Sequence, residues 1–257
     1  MKAKSIKGNS PEEIKGALEQ SMDDGFKPTL AFVFISIKQD RKAICEILHN
    51  EGIDIVGATS CGEFIDGYQD EGSIVILLLN LHRDAYTILF EAVGDRNLAD
   101  VATHLAQNAL KKFKHPGFIL CSTGVSAAGE FLDGKLLVHS IENVVGPQAN
   151  IYGGMAGDDA TFTGTYVFTY EHSTDMGMAA LVVDEDKISL SGMAISGWKP
   201  MGIIRTVTKS EGPWLYTIDG QPALQMYYKY LGKEPITGDD DRKIFEEIGL
   251  FYPFLAE

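Results

Sequence analysis

The chain has 257 residues, of which 45% are hydrophobic and 23% charged, so it is long and apolar enough to fold around a large core and is not intrinsically disordered. Its 22 basic and 36 acidic residues give a formal net charge of −14, and no basic run is longer than Lys111-Lys112, which argues against nucleic-acid and anionic-membrane binding. No apolar stretch approaches the roughly 20 residues of a transmembrane helix and no signal-peptide pattern follows Met1, so we expect a cytoplasmic protein without membrane insertion.

Hydrophobic periodicity and cap residues predict alternating helices and strands in the first half of the chain. Ser10, followed by Pro11 and Glu13, is typical of a capped helix start, and this helix should run to about Met22. Residues 1–28 are therefore interpreted as a helical lead-in. The next predicted elements are a strand at 29–37, a helix at 41–49, strands at 54–59, 73–79 and 85–93, and a helix at 98–113.

A second run of elements repeats this order. The predicted elements are a strand at 118–121, a helix at 135–145, and strands at 150–155, 166–170, 178–183 and 188–196. Two short matches accompany the repeat, since DIVG at 54–57 aligns with NIYG at 150–153 and GSIV at 72–75 aligns with GMAA at 177–180. We interpret 29–113 and 117–196 as two pseudo-repeats; the alternative is that any mixed chain repeats a strand-helix-strand order by chance.

These elements predict an α+β (mixed α/β) fold of two related β-α-β-β-β halves, with mixed sheets flanked by helices. The halves could stack as a layered αββα sandwich. A strand pair at 204–209 and 214–218 and a helix from Ala223 to Gly232 are predicted next. The last residues, 248–256 (IGLFYPFLA), are strongly apolar, which predicts that further structure covers them and that the chain is truncated.

Patterns typical of catalytic and metal sites are missing from the sequence. The six histidines never come within four residues of one another, and Cys45, Cys61 and Cys121 are too widely spaced for a zinc knuckle and are expected to be reduced thiols. No Gly-x-Ser-x-Gly elbow and no P-loop is present, and no Gly-x-Gly-x-x-Gly follows a strand. We therefore expect no metal, no cofactor and no enzymatic activity.

Two glycine-bearing strand ends are candidates for ligand binding. The first motif, 57–63 (GATSCGE), combines small residues, hydroxyls and a carboxylate, and the second motif, 153–159 (GGMAGDD), combines glycines with paired carboxylates. If the repeat is real, both strand ends face one pocket, and Trp198 could help to wall it. The alternative is that the glycines mark bulges or tight strand packing and the carboxylates cap a turn. The candidate ligand-binding residues are Thr59, Ser60, Cys61, Gly62, Glu63, Gly153, Gly154, Asp158, Asp159 and Trp198.

Two further interpretations stay open. The first is a hydrolase or transferase that uses Cys61 or Ser60, although no neighbouring residue suggests a thiol of lowered pKa. The second is a protein-interaction scaffold whose binding surface is the apolar strip at the end of the chain. Dimerisation that depends on Phe251 and Phe254 would favour the scaffold.

Both motifs resemble the FIST family of sensory domains associated with signal transduction. The first is similar to the family's Gly-Cys-Ser-Thr-x-Gly-Glu pattern, with Ala58 and Cys61 exchanging the usual places of the cysteine and a small residue, and the second follows its Gly-Gly-x-Ala-Gly-Asp-Asp pattern. The resemblance implies a FIST N-terminal-like domain at 29–196 and the start of a FIST C-terminal-like module at 197–257. Segments similar to that second module are 197–200 (GWKP), 207–212 (VTKSEG), 219–224 (DGQPAL) and 230–232 (YLG).

The resemblance implies a sensor that binds a small polar ligand, for which an amino acid is a candidate, and that acts on a downstream signalling protein. Thr59, Ser60 and Gly62 could donate hydrogen bonds to a ligand carboxylate, and Asp158 and Asp159 could accept from its ammonium group. A homodimer is among the expected states.

Overall fold

The computed structural model describes residues 1–194, 198–212, 214–232, 249 and 251–254, and the chain divides into two compact units, Met1–Gly192 and Met193–Glu257. The helices of the first unit are α1 (Pro11–Met22), α2 (Arg41–Asn50), α3 (Leu98–Lys112) and α4 (Gly134–Val145), with a 3-10 turn at Arg83–Ala85. Its strands are β1 (Lys2–Gly8), β2 (Leu30–Ser36), β3 (Asp54–Ser60), β4 (Glu63–Ile65), β5 (Tyr68–Asp70), β6 (Ile74–Asn80), β7 (Tyr86–Ala92), β8 (Pro116–Ser122), β9 (Ile151–Met155), β10 (Val167–Phe168), β11 (Ser173–Thr174) and β12 (Gly177–Asp184).

Local sequence explains where the helices begin. The Ser10 hydroxyl accepts from the Glu13 amide at 3.3 Å, and the Glu13 carboxylate accepts from the Asn9 amide at 2.7 Å, so the predicted capping box closes in both directions. Asp40 and Asp133 cap α2 and α4 in the same way, by accepting from an amide in the first turn. The predicted helix from Pro11 to Met22 is confirmed at both ends.

The second main sheet of the first unit repeats the order of the first four strands of the first sheet. The first sheet is ordered β1-β6-β2-β3-β10-β11 and the second β7-β12-β8-β9. In the first sheet β6 runs antiparallel to both β1 and β2, and β2 is parallel to β3; β12, β7, β8 and β9 reproduce this pattern in the second. Each parallel pair is connected by a helix, α2 or α4, as parallel strands require.

The structural copies therefore extend from β1 to β6 and from β7 to β12. The sequence interpretation started the first copy at 29 and assigned 1–28 to a helical lead-in, so it placed β7 and α3 in the first copy instead of at the start of the second. The reason is β1, whose residues KAKSIKG include three lysines and a single large apolar residue, Ile6, and therefore give little apolar signal. As the edge strand of its sheet, β1 needs less apolar surface than β2 or β3.

Three apolar clusters define the layers of the first unit. Helices α1 and α2 bury Ile14, Leu18, Ile44 and Leu48 against one face of the first sheet. Helices α3 and α4 cover one face of the second sheet in an equivalent cluster. The third cluster, between the sheets, includes Leu30, Phe32, Val56, Tyr86, Cys121 and Leu181. The predicted α+β class is confirmed, and the layers are helix, sheet, sheet, helix.

Three strand predictions differ from the structure. The strand predicted at 204–209 begins only at Val207 and runs to Glu211. Only Val167–Phe168 of the predicted strand at 166–170 is a strand. The predicted strand at 188–196 is wrong over 188–194, and its last two residues lie outside the described ranges. Ile188 and Leu190 alternate with serines because they cover the core between the sheets, which produces the period of a strand without ladder pairing.

The second unit contains a small sheet and a helix. Its elements are β13 (Val207–Glu211), β14 (Trp214–Ile218), β15 (Gln221–Pro222) and α5 (Ala223–Leu231). The strands form an antiparallel sheet in the order β13-β14-β15, and Gly232 ends α5 in the left-handed conformation, as its position predicted. Much of the apolar end at 248–256 falls outside the described residues. Among the described helices, none has both the length and the apolar composition that crossing a membrane requires.

Candidate functional site

A cavity of about 370 Å³ lies in the first unit at the carboxyl ends of the parallel strands of both sheets. This is the end of a parallel sheet where ligands usually bind. Residues of both motifs line it, so the structure brings the two predicted strand ends together. The lining residues are Phe34, Ala58, Thr59, Ser60, Cys61, Ile119, Leu120, Cys121, Gly153, Gly154, Met155, Ala156 and Gly157.

The lining follows the internal repeat. In the parallel pair of the first sheet, Phe34 lies opposite Ala58, and in that of the second sheet, Cys121 lies opposite Gly154. When the copies are aligned by Gly57 and Gly153, Cys121 is therefore the counterpart of Phe34. The same alignment pairs 58–61 with 154–157, and all of these residues line the cavity. The cavity thus lies where the corresponding strand ends of the two copies meet.

The hydroxyls of the first motif already have partners. The Thr59 hydroxyl accepts from the Tyr166 amide at 2.9 Å and donates to the Tyr166 carbonyl at 3.4 Å. The Ser60 hydroxyl donates to Glu63 at 2.6 Å. The Thr59 contacts hold β3 against the segment that leads into β10, and the Ser60 contact holds the turn between β3 and β4. Both hydroxyls therefore stabilise the fold around the cavity.

Glu63 is a buried structural carboxylate. Its second oxygen accepts from the amide of Ser73 at 2.9 Å and from the Ser73 hydroxyl at 3.1 Å. The chain reaches Glu63 from β3 through Gly62, whose φ of +90° would strain a residue with a side chain. Glu63 therefore ties the turn after β3 to the start of β6. Both of its carboxylate oxygens already accept hydrogen bonds within the protein, which makes Glu63 a weak candidate for binding a cation.

The three glycines of the second motif differ in whether packing requires them. A Cβ at Gly153 would overlap the Leu120 carbonyl, and a Cβ at Gly157 would come within 2.8 Å of the Cys61 Cβ, so both positions need glycine for close packing. A Cβ at Gly154 would meet nothing within 4 Å. Glycine at 154 is not required by packing, and it leaves open space in the cavity where its counterpart, Ala58, carries a methyl group.

The two aspartates of the second motif have separate environments. The Asp158 carboxylate accepts from the amides of Thr163 at 2.7 Å and Gly164 at 3.2 Å, which folds the loop after β9. Asp159 accepts from the Ser36 hydroxyl at 2.7 Å, and the Lys38 ammonium lies 3.4 Å from the same oxygen. The other oxygen of Asp159, Oδ1, is buried and has no hydrogen-bond partner among the described residues.

Backbone hydrogen bonds join the two motifs directly. The Gly157 amide donates to the Thr59 carbonyl at 2.9 Å, and the Asp159 amide donates to the Ser60 carbonyl at 3.2 Å. The loop that carries these amides has positive φ at Asp159, Ala160 and Phe162, a conformation that costs energy for residues other than glycine. Contacts with the first motif therefore help to hold the loop in a strained conformation.

The cysteines are free thiols, and two of them line the cavity. Burial raises the pKa of Cys121 to about 12. Partial burial and then the negative charge of Asp159 raise the pKa of Cys61. A raised pKa keeps a thiol protonated at neutral pH, which makes it a poor nucleophile.

Sequence reasoning missed several lining residues. It also named five residues that are not among those lining the cavity: Gly62, Glu63, Asp158, Asp159 and Trp198. The sequence predicted strands at 29–37 and 118–121 but named no site residue in them. The only signal for the lining residues Phe34, Ile119, Leu120 and Cys121 is that they approach the carboxyl ends of parallel strands. Trp198, predicted as a site residue, belongs to the second unit and lies outside its helices and strands. Within the described part of the chain, no three His, Cys, Asp or Glu side chains gather closely enough to hold a metal ion.

Comparison with curated proteins gives no match. The model of the FIST N domain matches residues 29–221, which is well over half of the chain and runs from the start of β2 into β15. This match contains both motifs and extends beyond position 196, where the sequence interpretation ended the N-terminal-like domain. The resemblance drawn from the motifs is confirmed, and the chain belongs to the FIST family of sensory domains associated with signal transduction.

Proposed function

We propose that the cavity at the junction of the two copies binds a small ligand and that this binding is the input of the sensory domain. The observation that carries the proposal is the convergence of both glycine motifs, one from each copy, on a single cavity of about 370 Å³. That volume lies within the roughly 300–1,000 Å³ of small-molecule sites, near the lower end. The ligand is therefore a small metabolite, and an amino acid fits this size.

The contacts in the cavity narrow the expected binding mode. Thr59, Ser60 and Asp158 already hydrogen-bond to other groups of the protein, so they are weak candidates for a ligand's carboxylate or ammonium group. Asp159 is the better candidate for an ammonium group because its Oδ1 has no partner among the described residues, and its amide bonds to Ser60 at the cavity. Strand β9 is an edge strand of its sheet, so its main chain can also pair with a ligand.

We also propose that the protein acts as a sensor without catalysing a reaction on its ligand. The Ser60 hydroxyl donates to a carboxylate that is itself held by Ser73, and no histidine is among the cavity's described lining residues. The Cys61 thiol has a raised pKa, the opposite of what a nucleophilic cysteine needs. The bound state would then pass to a downstream signalling protein.

A thermal-shift screen of the purified chain against amino acids and related small metabolites tests the ligand proposal. A ligand selective for the native state raises the melting temperature by mass action. Gly154→Leu should abolish the shift because it places a side chain in the open space of the cavity. The matched control is Gly16→Leu on α1, where a Cβ also meets nothing within 4 Å and where the residue does not line the cavity.

The two variants separate the outcomes. A shift that is lost in Gly154→Leu and kept in Gly16→Leu supports the cavity as the ligand site. A shift that survives in Gly154→Leu would place binding elsewhere and refute the proposal. If no compound in the screen shifts the melting temperature at millimolar concentration, the proposal fails for metabolites of this size.

A further inference from the structure

We infer that the cavity receives the apolar end of its ligand, an aliphatic or aromatic group such as the side chain of leucine, and not an amide or charged end. The inference rests on the proposed ligand site and names the chemical class that the site selects. It follows from which polar groups and which apolar surface of the lining remain available to a ligand after the protein's own hydrogen bonds are made.

The polar side chains of the lining have little left to offer a ligand. Among the described lining residues, the side-chain hydroxyls are those of Thr59 and Ser60, and the first bonds to the Tyr166 main chain while the second bonds to Glu63. None of the described lining residues is Asp, Glu, Lys, Arg, Asn or Gln. The thiols of Cys61 and Cys121 are weak hydrogen-bonding groups and are protonated at neutral pH.

The lining instead presents apolar surface that the fold leaves uncovered. Phe34 is 39% exposed, although Val33 and Ile35 on either side of it are completely buried. Ile119, from the second copy, lines the same cavity and is a half-buried side chain packed against the apolar cluster between the sheets. Phe34 and Ile119, beside the open space at Gly154, form a surface suited to an apolar group.

The free energy of transfer then decides which end of a ligand enters. A charged or amide group that leaves water for this lining loses hydrogen bonds without regaining them, which is unfavourable. An aliphatic group gains by leaving water in proportion to its buried area. A polar head group would remain near the cavity rim, where the main chain of the edge strand β9 can pair with it.

Three isosteric pairs of probes test this inference without assuming a head group. Each pair replaces an isopropyl end by a carboxamide: leucine and asparagine, 4-methylpentanoate and succinamate, 3-methylbutylamine and 3-aminopropanamide. We expect the isopropyl member of at least one pair to bind at least about tenfold more tightly than its amide partner, measured by calorimetric titration, since a lost apolar contact in such a pocket costs 10-fold or more.

Phe34→Gln provides the matched change in the protein. It should reduce the preference for the isopropyl member by about tenfold, because it replaces the apolar wall with an amide. Phe64→Gln is the control, since Phe64 is 79% exposed on β4 and does not line the cavity. Circular dichroism of both variants verifies that they fold.

The outcomes distinguish this inference from the proposed function. Preference for the isopropyl members that falls in Phe34→Gln alone supports the inference. Equal or tighter binding of the amide members, blocked by Gly154→Leu, would overturn the inference and leave the ligand site intact. If no member of any pair binds at millimolar concentration, the inference is refuted for these three head groups. If the metabolite screen is negative as well, the proposed function is also refuted.

Discussion

Asp158 accepts hydrogen bonds from the amides of Thr163 and Gly164, whereas Asp159, one residue later, accepts from the Ser36 hydroxyl and lies beside Lys38. The sequence presents the two as an equivalent pair of carboxylates. In the fold one carboxylate organises a loop and the other keeps a buried oxygen without a partner among the described residues. Residue type thus predicted a polar motif, but the partners of each side chain set its role.

The Cys61 thiol gives a prediction at the residue scale. Because the negative charge of Asp159 contributes to raising the pKa of Cys61, removing that charge should lower this pKa and increase the thiolate fraction at pH 8. We expect Asp159→Asn to accelerate the reaction of Cys61 with a thiol reagent, measured as a function of pH.

The buried thiols serve as an internal reference for that experiment. Cys45 and Cys121, whose pKa values burial raises to about 11 and about 12, should stay unreactive in the native state. Asp95→Asn, at an exposed position, should leave the rate unchanged. A rate for Asp159→Asn equal to that of the unmodified protein would show that Asp159 does not influence the thiol.

Strand β10 shows how an element acquires its place from its partners. It belongs to the second copy in sequence, yet it pairs antiparallel with β3 of the first sheet, with Val167 opposite Ala58 and Phe168 opposite Gly57. The Phe168 ring occupies the space above Gly57, where a Cβ would overlap it. The glycine that begins the first motif is therefore needed for packing, one of the two alternatives left open by the sequence.

Gly57→Ala tests this packing at the element scale. The added methyl group must displace the Phe168 ring, so we expect a loss of about 1–3 kcal/mol in the free energy of unfolding, measured by urea denaturation. Gly16→Ala, on a helix with open space around the Cβ, should instead stabilise by up to about 1 kcal/mol. Combining Gly57→Ala with Phe168→Leu should cost less than the sum of the two single changes; strict additivity would argue against the contact.

At the scale of the whole first unit, a partly buried polar link joins the two copies. Tyr86, the first residue of β7, can donate its hydroxyl to Asp54 of β3 at 2.7 Å or to the Thr29 carbonyl at 3.0 Å. Arg83, in the turn between the copies, also pairs with Asp54. Because these residues lie at the amino ends of the parallel strands, the link is at the opposite end of the sheets from the cavity.

The pH dependence of stability tests this link. Burial and the hydrogen bond to Asp54 raise the pKa of Tyr86 to about 12, above its unfolded value of about 10. A raised native pKa contributes stability that is fully present below pH 10 and is lost as the pH rises from 10 to 12. We expect the stability advantage over Tyr86→Phe, measured by urea denaturation, to be constant from pH 7 to 9 and to shrink above pH 10. An advantage independent of pH up to 12 would contradict this assignment.

The candidate site was predictable from sequence only in part. The two motifs were recognisable because glycines, hydroxyls and carboxylates cluster at the ends of strands, and the repeat indicated that they could face one pocket. Phe34 was not recognisable, because it lies in an apolar strand whose flanking residues are completely buried. Nothing local distinguishes an apolar side chain that faces a cavity from one that fills a core.

The sequence by itself determined the helix starts, most of the strands, the α+β class and the family, because these depend on periodicity, on caps that act within four residues, and on short motifs. Only the tertiary structure decided the strand order, the pairing of β10 with β3, and which polar groups have partners. These depend on contacts between distant residues, such as Ser36 and Asp159, which lie 123 positions apart. Such contacts are set by the packing of two sheets against each other, and no local pattern encodes that packing.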